Sequence, residues 1–164
     1  MATKKISVER FSVTSKKPFA EVVKVLEASV GRPNMATFES SITAAKSFTD
    51  LEKFVNDSTG ASGLMQFSKL DLGVIVRKER GENSPQSVRY LIGNPIVMKQ
   101  MLEHVPDAGS YAPVTILVDE RDGDVRLSYD RMSSFLASYE NTKATSVAKE
   151  LDAKIEALLT KAAA

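Results

Sequence analysis

Few side chains in this sequence are suited to chemistry, and the first of them is a lone histidine. His104 is the only histidine, and the chain has no cysteine. Metal sites and nucleophilic sites combine a histidine with further ligands or an acidic partner at fixed spacing, and no such pattern surrounds His104. It falls late in a predicted helix, where a cation interacts favourably with the helix dipole. We therefore predict a structural or surface role for His104. A general-base role would require the imidazole to face a pocket.

Three short motifs resemble functional sites but lack the features that would complete them. Ser146 and Lys149 have the Ser-x-x-Lys spacing of serine acyl enzymes, but the companion motifs of those enzymes are absent. The acidic run 119–124 lacks the oxygen spacing of a calcium loop, and a turn explains it. The glycine-rich run 59–63 follows a predicted helix instead of opening one, so its N–H groups are not arranged to bind phosphate. We assign no catalytic residue, no metal ligand and no cofactor.

Tyrosines and methionines near predicted strands and helices form the remaining candidate site. Buried tyrosine hydroxyls need hydrogen-bond partners, and ligand pockets are apolar with a few convergent polar groups. We predict that these side chains line a cavity between sheet and helices that holds a small apolar ligand. The predicted ligand-binding residues are Tyr90, Asn94, Tyr111, Tyr129, Met98 and Met101. The alternative is that these side chains only fill the core, as methionine and aromatic residues commonly do.

The first half of the chain mixes helix and strand patterns. Residues 4–14 alternate in the manner of a strand, and the apolar residues of 19–30 recur at helical spacing until Gly31. Residues 34–47 fit either a helix or a short strand. Thr49 and Glu52 have the spacing of a capping box, which predicts that a short helix begins there.

The second half of the chain contains the clearest landmarks. Period-two patterns over residues 64–76 and 86–92 predict a hairpin. Asn94 followed by Pro95 predicts a capped helix start, and Asp122-Gly123 predicts a tight turn between two strands. Residues 131–140 fit a helical turn or irregular structure. The longest predicted helix is Thr142–Thr160, and we expect the residues after it to be disordered.

Composition and charge narrow the class of protein. The 164 residues are 43% apolar and 26% charged, typical of one globular domain spanning 1–164. The net charge is +1 and the basic residues form no stripe, so we expect no nucleic-acid partner. We find no apolar run long enough for a membrane span and no signal peptide, and we expect a cytoplasmic protein without a membrane partner. The pattern predicts an α+β fold with helices on one face of an antiparallel sheet.

The order of motifs from residue 90 onward resembles one known family. Residues 90–95 (Tyr-Leu-Ile-Gly-Asn-Pro) precede a helix, residues 111–114 (Tyr-Ala-Pro-Val) open a strand, and the Asp-Gly hairpin and a terminal helix follow. This order resembles the domain-of-unknown-function 302 family over most of 90–159, and more loosely over 6–30. The segment 38–73 looks longer than the family pattern.

The resemblance implies a fold and a partner but no reaction. It implies a helix-grip arrangement, in which a strand and a helix are followed by four strands and a helix, and it implies a homodimer. Many family members carry cysteines where this chain has Gly93 and Val114, so a thiol or metal role at those positions cannot operate here.

Three functions remain open at this point. We expect a homodimeric binding or interaction module with a small apolar ligand, and we lean away from an enzyme. The alternative is a small acid–base enzyme that uses His104 or a pocket tyrosine. A purely structural partner subunit is the third, and it would show a large exposed apolar patch.

Overall fold

A computed structural model of the chain describes residues 1 and 3–164. Within them the strands are β1 (Arg10–Ser15), β2 (Met65–Asp71), β3 (Ser87–Gly93), β4 (Val114–Arg121) and β5 (Asp124–Asp130). The helices are α1 (Phe19–Ser29), α2 (Met35–Ala44), α3 (Phe48–Ser58), α4 (Gly73–Arg80), α5 (Pro95–Leu102), α6 (Met132–Ala137) and α7 (Thr142–Ala163), with a 3-10 helix at Pro106–Ser110. No helix in this part of the chain is long and apolar enough to cross a membrane.

The five strands form one antiparallel sheet in the order β1-β5-β4-β3-β2. Side chains alternate between its two faces. The inner face is buried and carries the apolar members of each central strand: Val88, Tyr90, Ile92, Val114, Ile116, Val118, Val125, Leu127 and Tyr129. The predicted α+β class with an antiparallel sheet is confirmed.

Helices α1, α5 and α7 cover the inner face, and α1 and α5 both pack on α7. In α1, Phe19, Val22 and Leu26 are buried at the spacing of one helical face, as the sequence predicts. Helix α7 packs against β1 and β5 as well as α1, α5 and α6. Because α7 contacts so many elements, its apolar stripe is the centre of the core.

The predicted turn and helix start are both present. Asp122 and Gly123 have φ values of 54° and 84°, and such positive values at both central positions favour an Asp-Gly pair between twisted strands. Asn94 caps α5, with its Oδ1 accepting the Ile96 N–H at 2.8 Å. Pro95 occupies the first turn, where its missing N–H leaves no bond unmade.

Two predictions about the first half of the chain need correction, and one open alternative is decided in favour of a helix. Strand β1 begins at Arg10, not at residue 4, because its partner β5 ends opposite Arg10; beyond the two strand ends the Glu9 carbonyl accepts the Arg131 N–H at 2.9 Å. The ambiguous residues 34–47 contain helix α2. Helix α3 is capped by Ser47, whose Oγ accepts the Asp50 N–H at 3.1 Å, so the Thr49–Glu52 capping box is wrong by two residues.

The predicted strand over 64–76 is wrong in its second half. Strand β2 ends at Asp71 and helix α4 follows, so β2 and β3 are paired but joined by a helix. Asp71 pairs with Val88, near the start of β3, and a longer β2 would have no partner. The Asp71 carboxylate instead accepts the Val74 N–H and binds Arg77, which stabilises the first turn of α4.

The end of the chain is more ordered than the sequence suggests. Residues 131–140, which fit either a helical turn or irregular structure, contain helix α6. Helix α7 continues to Ala163, and Ala162 is fully buried. The Ser15 hydroxyl donates to the Ala163 carbonyl at 2.6 Å, which joins the end of α7 to β1. Helix α7 therefore includes residues that the sequence predicts to be disordered.

Candidate functional site

A partly enclosed apolar cavity of about 110 Å³ lies where β3 meets α5. Gly93 ends β3, Asn94 caps α5 and Pro95 begins it, so the sharp junction forms one wall. Met98 and Met101, one and two turns further along α5, form the next wall. Three of the six predicted ligand-binding residues, Asn94, Met98 and Met101, therefore lie together at this cavity.

The remaining walls come from three other elements. Phe67 of β2 lies on one side, and Leu151 of α7 closes the core side. Pro113 and Val114, where the chain begins β4, lie at the rim of the cavity, and Pro113 is exposed to solvent. Phe67 is held by an edge-to-face contact with Phe38 of α2, with ring centroids 6.4 Å apart and planes at 90°. The wall is thus supported by the α2–α3 segment.

Asn94 contributes few free polar atoms to the cavity because its amide is already hydrogen-bonded. Its Oδ1 accepts the N–H groups of Ile96 and Val97, and its Nδ2 donates to the Gly63 carbonyl at 3.0 Å. The cavity surface is consequently almost wholly apolar. Such a surface favours an uncharged apolar molecule, because a polar group placed there would lose its bonds to water without replacement.

Tyr90 lies in the core, not at the cavity. It is fully buried on the inner sheet face, and its hydroxyl donates to Glu27 Oε1 at 2.8 Å. Lys69 and Arg32 bind the same carboxylate at 2.6 and 3.2 Å. Burial raises the pKa of Tyr90, and the Glu27 charge raises it further. Tyr90 therefore joins β3 to α1 in its neutral form.

Burial opposes the ionisation of Glu27, but its hydrogen-bond partners outweigh that effect. Bonds from Lys69 and Tyr90, together with the charges of Lys69 and Arg32, lower the pKa of Glu27. The group is a structural ion cluster between α1 and the sheet.

Tyr129 is also buried away from the cavity. Its hydroxyl donates to Asp152 of α7, which in addition accepts the N–H groups of Met132 and Ser133 at 2.8 and 3.2 Å. Burial and the Asp152 charge raise the pKa of Tyr129. The pair anchors the start of α6, so its polar atoms are used in structure.

Tyr111 occupies a third place, in an aromatic group near the surface. Its ring stacks on Phe135 at 4.7 Å and its hydroxyl lies 2.9 Å from that of Tyr139. The structure therefore separates Tyr90, Tyr111 and Tyr129 from the cavity and from one another. The sequence missed the walls formed by Phe67 and Leu151, for which it held no signal beyond their apolar spacing.

The candidates for catalysis and metal binding find no matching geometry in the described residues. His104 is exposed, just after α5, and does not line the cavity. No group of three or more histidine and acidic side chains in residues 1 and 3–164 could hold a metal ion. The acidic hairpin is accounted for by its turn and by the pairing of Asp119 with Arg121.

Comparison with known proteins decides the family. The sequence model described as "Domain of unknown function DUF302" matches residues 38–162, which include the whole cavity. This chain belongs to the DUF302 family. The match also takes in residues 38–73, the segment that looks longer than the family pattern. No curated protein matches the chain.

A solved DUF302 structure has a similar fold. It is the crystal structure of an uncharacterized conserved DUF302 protein from Bacillus stearothermophilus, with a TM-score of 0.65 and 12% identity. The similarity covers 93% of this chain and 97% of the other. At this identity the similarity is one of fold, so function must be argued from the site.

Proposed function

We propose that this DUF302 protein is a binding module that holds a small apolar ligand in the cavity beside Gly93. The observation that supports the proposal is the combination of an open, apolar cavity with an Asn94 whose polar atoms are already bonded. An ordinary core would fill this space, because protein interiors are packed with few voids larger than a water molecule. The apolar walls of the cavity offer water few hydrogen bonds, and displacing such poorly held water by an apolar group favours binding.

The alternative, a small acid–base enzyme that uses His104 or a pocket tyrosine, has less support. A general base must reach the proton that it removes from a bound substrate. His104 is exposed, Tyr90 is buried with its hydroxyl on Glu27, and neither lines the cavity. We therefore propose binding and not catalysis as the role of the cavity.

Methionine methyl groups provide a direct test of ligand binding. The chain has six methionines, of which Met98 and Met101 line the cavity while Met132 is buried in helix α6 and does not line it. Benzene and xenon, which enter apolar cavities, should shift the ¹³C-methyl resonances of Met98 and Met101 in a saturable way. The methyl group of Met132 serves as an internal control. Equal shifts at all three, or none at Met98 and Met101, would refute the proposal.

We further propose that the protein is a homodimer, and we place the contact at an exposed apolar patch. Leu70, Leu72, Val74 and Ile75 are 44%, 39%, 40% and 73% exposed, so four large apolar side chains lie within six residues of β2 and α4. Monomers rarely expose contiguous apolar surface of this kind. A two-fold contact between identical patches would cover both at once.

The oligomeric state can be measured with a matched pair of variants. Light scattering and native mass spectrometry of freshly purified protein should give a dimer. Ile75→Lys should give a monomer, while Leu102→Lys, at an exposed leucine outside the patch, should leave the dimer intact. A wild-type monomer, or a dimer unaffected by Ile75→Lys, would count against this contact. Native mass spectra would also reveal a retained ligand by its mass.

A further inference from the structure

We infer that Gly93 sets the size of the group that the cavity encloses, and that this group is uncharged, apolar and no larger than about one aromatic ring. The inference depends on the proposed binding function and specifies its ligand. It follows from the volume of the cavity, from the chemistry of its walls and from the space around the Gly93 Cα.

The volume gives the upper limit. An engineered apolar cavity of about 150 Å³ in another protein binds benzene or xenon, and the cavity here is about 110 Å³. A larger molecule would have to extend past the exposed Pro113 into solvent and lose part of its apolar contact. The enclosed part of the ligand is therefore a single ring or a short branched chain.

The walls give the chemical class. None of the residues that line the cavity carries a charge, and Asn94, the only lining residue with a polar side chain, has its amide bonded to Ile96, Val97 and Gly63. A hydroxyl or amide on the ligand would find no partner at these walls, and an unpaired buried polar group costs about 1–3 kcal/mol. The site therefore selects against polar analogues of the same shape.

The space around Gly93 shows why this position sets the size. A Cβ built on Gly93 would lie 3.5 Å from Pro113 Cβ and 3.6 Å from Phe67 Cε2, which are ordinary van der Waals contacts. Phe67 and Pro113 both line the cavity, so that Cβ would take up space between two of its walls.

The backbone does not require glycine at position 93. Gly93 ends strand β3, paired with Met65, and it is absent from the residues with positive φ. Any residue can adopt such an extended conformation. The absence of a side chain is therefore what leaves the cavity open, and a methyl group at this position would narrow it without displacing the walls.

The test compares ligand size limits in wild type, Gly93→Ala and Gly93→Val. Xenon, benzene, toluene and phenol are titrated while the Met98 and Met101 methyl resonances are observed. Wild type should bind xenon and benzene, with phenol at least tenfold weaker than benzene. Gly93→Ala should bind benzene at least tenfold more weakly than wild type and still bind xenon. Gly93→Val should bind neither molecule. Ala20→Val is the matched control, because Ala20 is exposed in α1 and lies outside the cavity, and it should bind like wild type.

The outcomes distinguish the role of Gly93 from the proposed binding function. If wild type binds benzene and Gly93→Ala has the same size limit, the role of Gly93 is refuted while the binding function stands. If wild type binds none of the probes, the binding function itself fails. A thermal unfolding measurement adds an independent check. Gly93→Ala should melt at or above the wild-type temperature, and a clear decrease would show that the space for a Cβ does not exist.

Discussion

The Tyr129 hydroxyl donates a 2.6 Å hydrogen bond to Oδ1 of Asp152, and both residues are buried. The bond joins strand β5 to helix α7 through the core. Because Asp152 also accepts the N–H groups of Met132 and Ser133, a single carboxylate fixes the position of three elements.

Removing this carboxylate should destabilise the fold strongly. Asp152→Ala leaves the Tyr129 hydroxyl and the Ser133 N–H without their acceptor and leaves the Met132 N–H only the Tyr129 hydroxyl at 3.0 Å. We expect a loss of about 3–5 kcal/mol in the free energy of unfolding. Tyr129→Phe removes the donor to Asp152 and one of the two acceptors of the Met132 N–H, which keeps its bond to Asp152, and we expect about 1–2 kcal/mol. Urea unfolding followed by circular dichroism measures both. Equal losses for the two variants would show that the backbone donors contribute nothing.

Alkaline pH should lower the free energy of unfolding because of the buried tyrosines. The pKa values of Tyr90 and Tyr129 are raised by burial and by the carboxylates beside them, while an unfolded tyrosine ionises near pH 10. The stabilisation is therefore complete below about pH 10 and is lost above it, because only the unfolded chain releases these protons. The slope contributed by each tyrosine approaches about 1.4 kcal/mol per pH unit.

Tyr90→Phe isolates one of these groups. Above pH 10 its unfolding free energy should fall less steeply with pH than that of wild type, and the ultraviolet absorbance of native protein should show fewer titrating tyrosines than the four in the sequence. A wild-type protein that titrates all four tyrosines reversibly while folded would contradict this prediction.

The Asn94 side chain should stabilise the protein both as the cap of α5 and as the donor to Gly63, and substitutions can separate the two roles. Asn94→Ala loses both the helix cap and the bond to Gly63, and we expect a loss of about 1–2 kcal/mol. Asn94→Asp keeps the oxygen that accepts the Ile96 N–H, but it replaces the donor to Gly63 with a second oxygen. Thermal unfolding should therefore place Asn94→Asp between wild type and Asn94→Ala. An Asp variant as unstable as the Ala variant would mean that the Gly63 bond dominates.

Local signals in the sequence predicted the parts of the fold that depend on neighbouring residues. The Asn94–Pro95 helix start and the Asp122–Gly123 turn are set by interactions within a few residues, and both are observed. Strand limits depend on a distant partner. Strand β1 starts where β5 ends, and β2 stops opposite Val88, one residue from the start of β3. Alternation within each segment carries no information about these partners, so the predicted limits of both strands were wrong.

The candidate site was predictable only where its residues lie on one element. Asn94, Met98 and Met101 share the start and one face of α5, so predicting the helix also brought them together. Tyr90 and Tyr129 point inward from β3 and β5, on either side of β4, but their hydroxyls bond to carboxylates on α1 and α7. Pairings of that kind depend on how helices cross the sheet, which no local pattern records.

The end of helix α7 gives a sharp test of order at the carboxyl terminus. Ala162 is fully buried and its neighbour Lys161 is exposed, so one substitution can be placed in two environments one residue apart. Ala162→Gln forces a larger polar side chain into a packed site, and we expect a loss of about 1–3 kcal/mol. Lys161→Gln should change the free energy of unfolding by less than about 0.5 kcal/mol. If the last turn frayed in solution, both variants would match wild type.

Ser15→Ala removes the donor to the Ala163 carbonyl. A lower free energy of unfolding in this variant would show that the last turn of α7 is held against β1.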